Sequence, residues 1–428
     1  MATNLFALTL AAIPFMAAGA ERENWTEFRG PTGQGHSRAR HLPVEWRHAP
    51  DGTSKNIAWK QPIPGKGWSS PVFYEGNVYL TTAVTANASK LSLRALCLDA
   101  ATGQMVWNVE VFSTDAVGVH NKNSHASPTP LVEGQRLYAH FGHYGTACLD
   151  LAGKILWRNS TLSYPPVHGN GGSPIVVDDT LVFSCDGASE PFVVALNKNN
   201  GSVLWKTFRK SDAKKKISFS TPLLISVNGQ KQVVSPGSGM VCAYDPKTGR
   251  EIWRVRYVEG YSVVPRPVFG HGLVFFSTGF DRPVVMAVHP NGIGDVTQTH
   301  VAWTLARSAP TTPSPLVKGD ELYIISDAGI ASCIDARSGR VHWQERIGGN
   351  FSASPLAADG RIYFQSEEGT AVVIEASQAF QKLATNPLNE RTLASYAVGN
   401  GSLFIRGEEH LFKVQTSTQE TEDSVPSK

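Results

Sequence analysis

One dipeptide pattern constrains this chain more than anything else in it. A Ser-Pro-like pair opens a short apolar strand eight times: Ser70-Pro71, Ser127-Pro128, Ser173-Pro174, Thr221-Pro222, Arg266-Pro267, Ser314-Pro315, Ser354-Pro355 and a degenerate Ser395-Tyr396. The intervals run from 40 to 57 residues, the length of one four-stranded unit that buries its faces only against its neighbours. The sixth unit shows the internal order. Pro315-Leu316-Val317 is a first strand, Glu321–Ile325 a second and Ala331–Ile334 a third; the turn Asp335–Gly339 then leads to Val341-His342-Trp343. The expected fold is all-β: an eight-bladed β-propeller of four-stranded antiparallel blades.

The turn before the last strand has its own signature. Asp99-Gly103-Trp107, Asp150-Gly153-Trp157, Asn197-Gly201-Trp205, Asp245-Gly249-Trp253 and Asp335-Gly339-Trp343 repeat it. The acid binds nearby backbone N–H groups and glycine supplies positive φ. The fifth unit stretches the signature, placing Trp303 well after Gly292, and the seventh lacks it. Ser-Pro openings with Asp-x-x-x-Gly-x-x-x-Trp closings resemble the PQQ-type (pyrroloquinoline quinone) repeat. That repeat is shared by quinoprotein dehydrogenases and the outer-membrane barrel-assembly lipoprotein. The resemblance runs from about Ile57 to Gln415 and implies a propeller whose tryptophans dock between blades.

The last unit lacks an outer strand, and Ile57-Ala58-Trp59-Lys60 has the phase of one. The ring is therefore expected to be closed by this N-terminal strand, which pairs an otherwise open edge. The expected division is a signal peptide over 1–20, an extended segment packed on the ring over 21–56, the propeller over 57–415 and a polar tail over 416–428. Leu5 to Ala18 is almost wholly apolar, and Ala18-Gly19-Ala20 fits the small-x-small cleavage pattern. Gly30-Pro31-Thr32-Gly33-Gln34-Gly35 is no phosphate loop, because no Gly-Lys-Ser/Thr follows. Of the five cysteines, Cys97, Cys148 and Cys333 each precede an acid by two residues and Cys242 lies near that phase. Equivalent positions in separate blades are too far apart for a disulfide.

A net charge of +3 gives no case for nucleic acid, and no later apolar run is long enough to span a bilayer. Standard catalytic signatures are missing, so catalytic residues stay unassigned. Second-to-third turns and blade-to-blade loops open on one face, at the mouth of the channel. There Lys66, Lys122, Lys216 and Arg391 recur four or five residues before the opening pair, with His168 and Asn350 in the same register. Arg266 replaces the serine itself, and Arg307 lies slightly farther away. Acids that could neutralise this ring include Asp186, Glu190, Asp281, Asp327, Glu367 and Glu408. His125, His143 and His168, with Asn123 and Asn170, form a second cluster able to contact a polar ligand; converging neutral imidazoles could also hold a metal, though no metal site is assigned. The expected channel-face ligand site comprises Lys66, Trp68, Lys122, Asn123, His125, His143, His168, Asn170, Arg266, Asp281, Arg307, Asn350 and Arg391.

The resemblance implies an exported binding or scaffold module in the periplasm or cell envelope, with a small anionic ligand or an envelope protein as partner. A PQQ-dependent oxidoreductase is the alternative. PQQ is not expected to bind tightly, because the adjacent-cysteine pair and the extra length of the quinoprotein alcohol dehydrogenases are both missing. A hydrolase or lyase would need a nucleophile–base pair, and none is evident.

Overall fold

The computed structural model describes residues 23–85 and 90–416, so the expected signal peptide over 1–20 and the tail beyond residue 416 lie outside it. Eight antiparallel four-stranded blades follow one another round a ring. Blade one comprises Val72–Tyr74, Asn77–Thr85, Lys90–Asp99 and Met105–Asp115. Blade eight comprises Ala397–Gly399, Ser402–Arg406 and His410–Val414, with Ile57–Pro62 as its outer strand. Trp59 pairs with Lys413 and Gln61 with Leu411, so the N-terminal strand closes the ring as the sequence leads one to expect.

Burial explains why strands of one blade read differently. A middle strand is covered on both faces by neighbouring blades, so Leu273–Ser277 is buried throughout. An outer strand has a solvent edge, and Ile57–Pro62 alternates between half-buried and exposed. The tryptophans span the gaps between blades. Trp59 Nε1 donates to the Ala100 carbonyl at 3.2 Å, Trp107 to Leu151 at 2.9 Å, Trp157 to Lys198 at 3.1 Å and Trp205 to Pro246 at 2.9 Å. A Cβ on Gly201 would lie 2.5 Å from the Trp157 ring, so glycine there serves contact with the preceding blade as well as its φ of +75°.

The bulge between third and fourth strands sets Trp107, Trp157 and Trp343 opposite Cys97, Cys148 and Cys333. Alanine holds the place in other blades, as at Ala195 opposite Trp205. The cysteine phase is thus a requirement for a small buried residue across from a large ring. All five cysteines are buried and free.

Blades two and five depart from the repeat in ways that matter for the site. In blade two Thr129-Pro130, two residues after Ser127-Pro128, precedes the first strand Leu131–Glu133, which moves the opening pair by one strand period. In blade five the long turn lends Gly294–Asp295 to blade four as a fifth, parallel strand beside Trp253 and Arg254. Trp253 Nε1 accordingly bonds Gln232 within its own blade, at 2.8 Å.

Candidate functional site in the axial channel

The opening serines and threonines form a hydrogen-bonded ring around the axis. The backbone N–H of Ser70 donates to Thr129 Oγ1 at 2.9 Å, that of Thr129 to Ser173 Oγ at 2.9 Å and that of Ser173 to Thr221 Oγ1 at 2.9 Å. Arg266 N–H donates to Ser314 Oγ, Ser314 to Ser354, Ser354 to Ser395, and Ser395 back to Ser70. The step from Thr221 is broken because Arg266 carries no hydroxyl. Its guanidinium instead reaches the Pro222 carbonyl at 3.0 Å, the Phe28 carbonyl and Glu27 at 3.0 Å. The serine and threonine types are therefore fixed by inter-blade bonding. Among the described residues the O–H groups of Ser70, Thr129, Ser173, Thr221 and Ser395 have no acceptor, leaving them free to donate into the channel.

Above this ring lies a cavity of about 540 Å³. Phe28 forms part of its floor, Trp68, Phe219, Tyr261 and Phe280 supply aromatic wall, and His120, Lys122, Asn123, His168 and Asp327 lie at its mouth. Large aromatic faces with a few convergent polar groups are the usual composition of a small-molecule site.

The floor comes from residues 23–46, which cross the channel. Trp25 and Phe73 exchange backbone bonds of 2.8 and 2.9 Å, Val132 N–H reaches the Thr26 carbonyl, Phe269 N–H reaches Gln34 and Ser37 N–H reaches the Ala357 carbonyl. These contacts belong to blades one, two, five and seven, so one strand of chain ties opposite sides of the ring together.

The structure places the sequence-predicted residues in three groups. Trp68, Lys122, Asn123 and His168 line the cavity. Lys122 Nζ lies 2.8 Å from Glu367, and Arg391 stands 5.5 Å over the Trp68 ring and 4.0 Å from Glu408. Asn123 Nδ2 donates to the His168 carbonyl at 2.9 Å. A second group packs behind the wall. His143 and Tyr144 lie with tilted rings 3.8 Å apart, His143 meets Asn170 at 3.0 Å, and the Tyr144 hydroxyl contacts His125 Nδ1 at 3.0 Å. Burial pushes both His125 and His143 down from the ordinary imidazole value, so both are neutral at pH 7. His168 faces His120 instead, ring centroids 5.5 Å apart, and no trio of His, Cys, Asp or Glu with metal-binding geometry occurs among the described residues.

The third group stays out of the cavity. Arg266 is buried at its base. Lys66, Asp281 and Arg307 are exposed and do not line the cavity. Asn350 bonds Glu368 at 2.8 Å. The basic register thus yields one fixed cation on the cavity wall, Lys122. Lys216 is turned to Glu190 at 2.6 Å.

Sequence reasoning missed Phe28, Phe219, Tyr261 and Phe280. The last three lie within six residues of an opening pair or in a second-to-third turn, positions that the topology alone directs to the mouth. Phe28 carries no such signal, since only the path of the N-terminal segment brings it to the axis.

Comparison with known proteins follows the same lines as the fold. The PQQ_2 family model, described as outer membrane protein assembly factor BamB, matches residues 47–189, 189–314 and 284–418. The BamB of Shewanella oneidensis is 24% identical over 227 residues, covering 49% of this chain and 52% of that protein, so the alignment spans about half of its length. The crystal structure of BamB from Moraxella catarrhalis superposes with a TM-score of 0.59 at 12% identity, covering 85% of this chain and 98% of that one. Quinohemoprotein alcohol dehydrogenase ADHIIG from Pseudomonas putida HK5 gives 0.60 at 12% identity, covering 92% and 81%. At such identities the likeness to both structures is one of fold. With its repeats, its ring closure and a family model that matches nearly the whole propeller, the chain belongs to the PQQ-repeat family described as outer membrane protein assembly factor BamB.

Proposed function

We propose that this propeller is an exported ligand-binding module of the cell envelope, which holds a small acceptor-rich molecule in its axial cavity. The observation that carries the reading is the cavity of about 540 Å³ in which uncommitted hydroxyl donors face inward beneath aromatic walls. Donors of that kind favour carbonyl or carboxylate oxygens over further donors. One carboxylate suits the mouth, where Lys122 is the fixed cation and already shares Glu367. A role as scaffold for an envelope protein is compatible with the same architecture, since the BamB relatives are described as assembly factors. Export rests on the apolar stretch Leu5 to Ala18; fractionation of its own cells that finds the protein only in the cytoplasm, with an intact mass beginning at Met1, would contradict it.

The alternative reading, a PQQ-dependent oxidoreductase, draws support from the fold it shares with ADHIIG. The cavity wall does not fit that cofactor. PQQ carries three carboxylates, against which the wall sets one fixed cation, and its single carboxylate, Asp327, already accepts the backbone N–H of Thr311 at 2.6 Å. No catalytic step is derived through it.

Calorimetric titration separates the two. Small aromatic monocarboxylates should bind more tightly than their amides, and added salt should weaken them as the attraction to Lys122 is screened. Lys122→Ala should cost about fivefold, the size expected of a partly exposed ion pair. Stoichiometric binding of PQQ with turnover of an alcohol would replace this reading by the oxidoreductase.

A further inference from the structure

Arginine is seldom buried without a partner, because the guanidinium keeps its proton and isolated charge is costly away from water. Among the described residues four arginines are at most 2% exposed: Arg29, Arg209, Arg266 and Arg406. Three of them have hydrogen-bond acceptors. Arg209 meets Asp186 at 3.1 Å and the Ser235 carbonyl at 2.7 Å. Arg406 meets the Thr81 carbonyl at 2.7 Å and the Ser69 carbonyl at 3.3 Å. Arg266 holds Glu27 and two carbonyls. Arg29 has none: its Nε, Nη1 and Nη2 all lack a hydrogen-bond partner.

The surroundings of Arg29 add positive charge. Burial, with Arg266 close enough to oppose its ionisation, pushes Arg29 down to about 9, which still leaves it charged at neutral pH. Glu27, the acid in this group, is engaged by Arg266. His36 is held down to about 4 by burial, Arg29 and Lys318, so it is neutral at pH 7. Two guanidinium groups thus share one carboxylate below the cavity floor.

The backbone has been cleared for these groups. A Cβ on Gly33 would lie 2.5 Å from the Arg266 guanidinium, and one on Gly35 would lie 2.8 Å from Arg29 Nη2. The motif Gly30-Pro31-Thr32-Gly33-Gln34-Gly35, which is no phosphate loop, is therefore a cradle around two cations. We infer that a small inorganic anion of halide size is bound against the Arg29 guanidinium, sealed beneath the floor of the axial cavity. It neutralises the unmatched charge and supplies the acceptor that the protein does not. The site is separate from the ligand cavity above, since Phe28 lines that cavity and the adjacent Arg29 does not.

Crystals of the intact protein grown in bromide test this directly. An anomalous peak beside Arg29 is expected in the wild type and should vanish in Arg29→Met. In parallel, thermal unfolding is followed against chloride at constant ionic strength, with a bulky organic sulfonate as balance. Above the dissociation constant each tenfold rise in chloride should shift the unfolding equilibrium about tenfold, and Arg29→Met should abolish the dependence. Water alone beside the wild-type guanidinium, with unfolding indifferent to chloride, would overturn the inference. The bromide crystals do not depend on the variant folding.

Discussion

The two ends of the channel use charge in opposite ways. At the mouth, Lys122, Lys216 and Arg391 stand in or near water and meet acids from neighbouring loops: Glu367, Glu190 and Glu408. Such pairs contribute about 0–1 kcal/mol each, because water already solvates both partners. At the floor, Arg29 and Arg266 are removed from water and Glu27 is largely covered, and an unmatched charge there costs several kcal/mol. The mouth can therefore change its charges freely and adapt to a ligand. The floor is held to one arrangement, down to which positions are glycine.

Substitution at the two ends should break or sharpen that contrast. Arg266→Ala leaves the largely covered Glu27 carboxylate without its cation and should lower unfolding stability by roughly 3 kcal/mol in urea titrations. Lys122→Ala should change it by no more than about 1 kcal/mol. Equal effects from the two variants would mean that the floor is wetter than its burial indicates.

Acid should also act at the floor. His36 resists protonation in the folded protein until about pH 4, whereas an unfolded imidazole takes up its proton near pH 6.5. Its contribution is complete above pH 6.5 and is lost as pH falls toward 4, because the unfolded state then binds the additional proton. Between pH 7 and pH 5 this amounts to about 2 kcal/mol. Burial raises the Asp186 carboxyl to about 6, which acts in the opposite sense over part of that range. The readout is therefore the difference in pH slope between wild type and His36→Gln. Identical slopes would remove His36 from the account.

Much of the fold could be read from the chain because the repeat carries its reasons locally. Asp99, Gly103 and Trp107 sit in one turn and strand, and each has a physical task visible within ten residues. The blade-two register could not be read so simply, since Ser127-Pro128 and Thr129-Pro130 are two candidates one strand period apart. Only the inter-blade bonds of Thr129, to Ser70 on one side and Ser173 on the other, distinguish them. The candidate site was less legible. Basic residues recur near the opening pairs, yet where a long side chain ends depends on the acid its neighbouring loop presents. The floor was the least accessible of all. Gly33, in the N-terminal segment, is required by Arg266 of blade five, and nothing in the local sequence announces that contact.

The central claim is that the axial cavity holds a small molecule. Native mass spectrometry of protein recovered from its own cells tests it most directly, alongside Thr312→Trp, which places a large side chain in the cavity lining at a residue that contributes only its backbone N–H to the surrounding bonds. The account predicts a stoichiometric small-molecule adduct on the wild type and its loss from the variant, with both proteins folded. An adduct of equal occupancy on both, or bare protein in both, would contradict it.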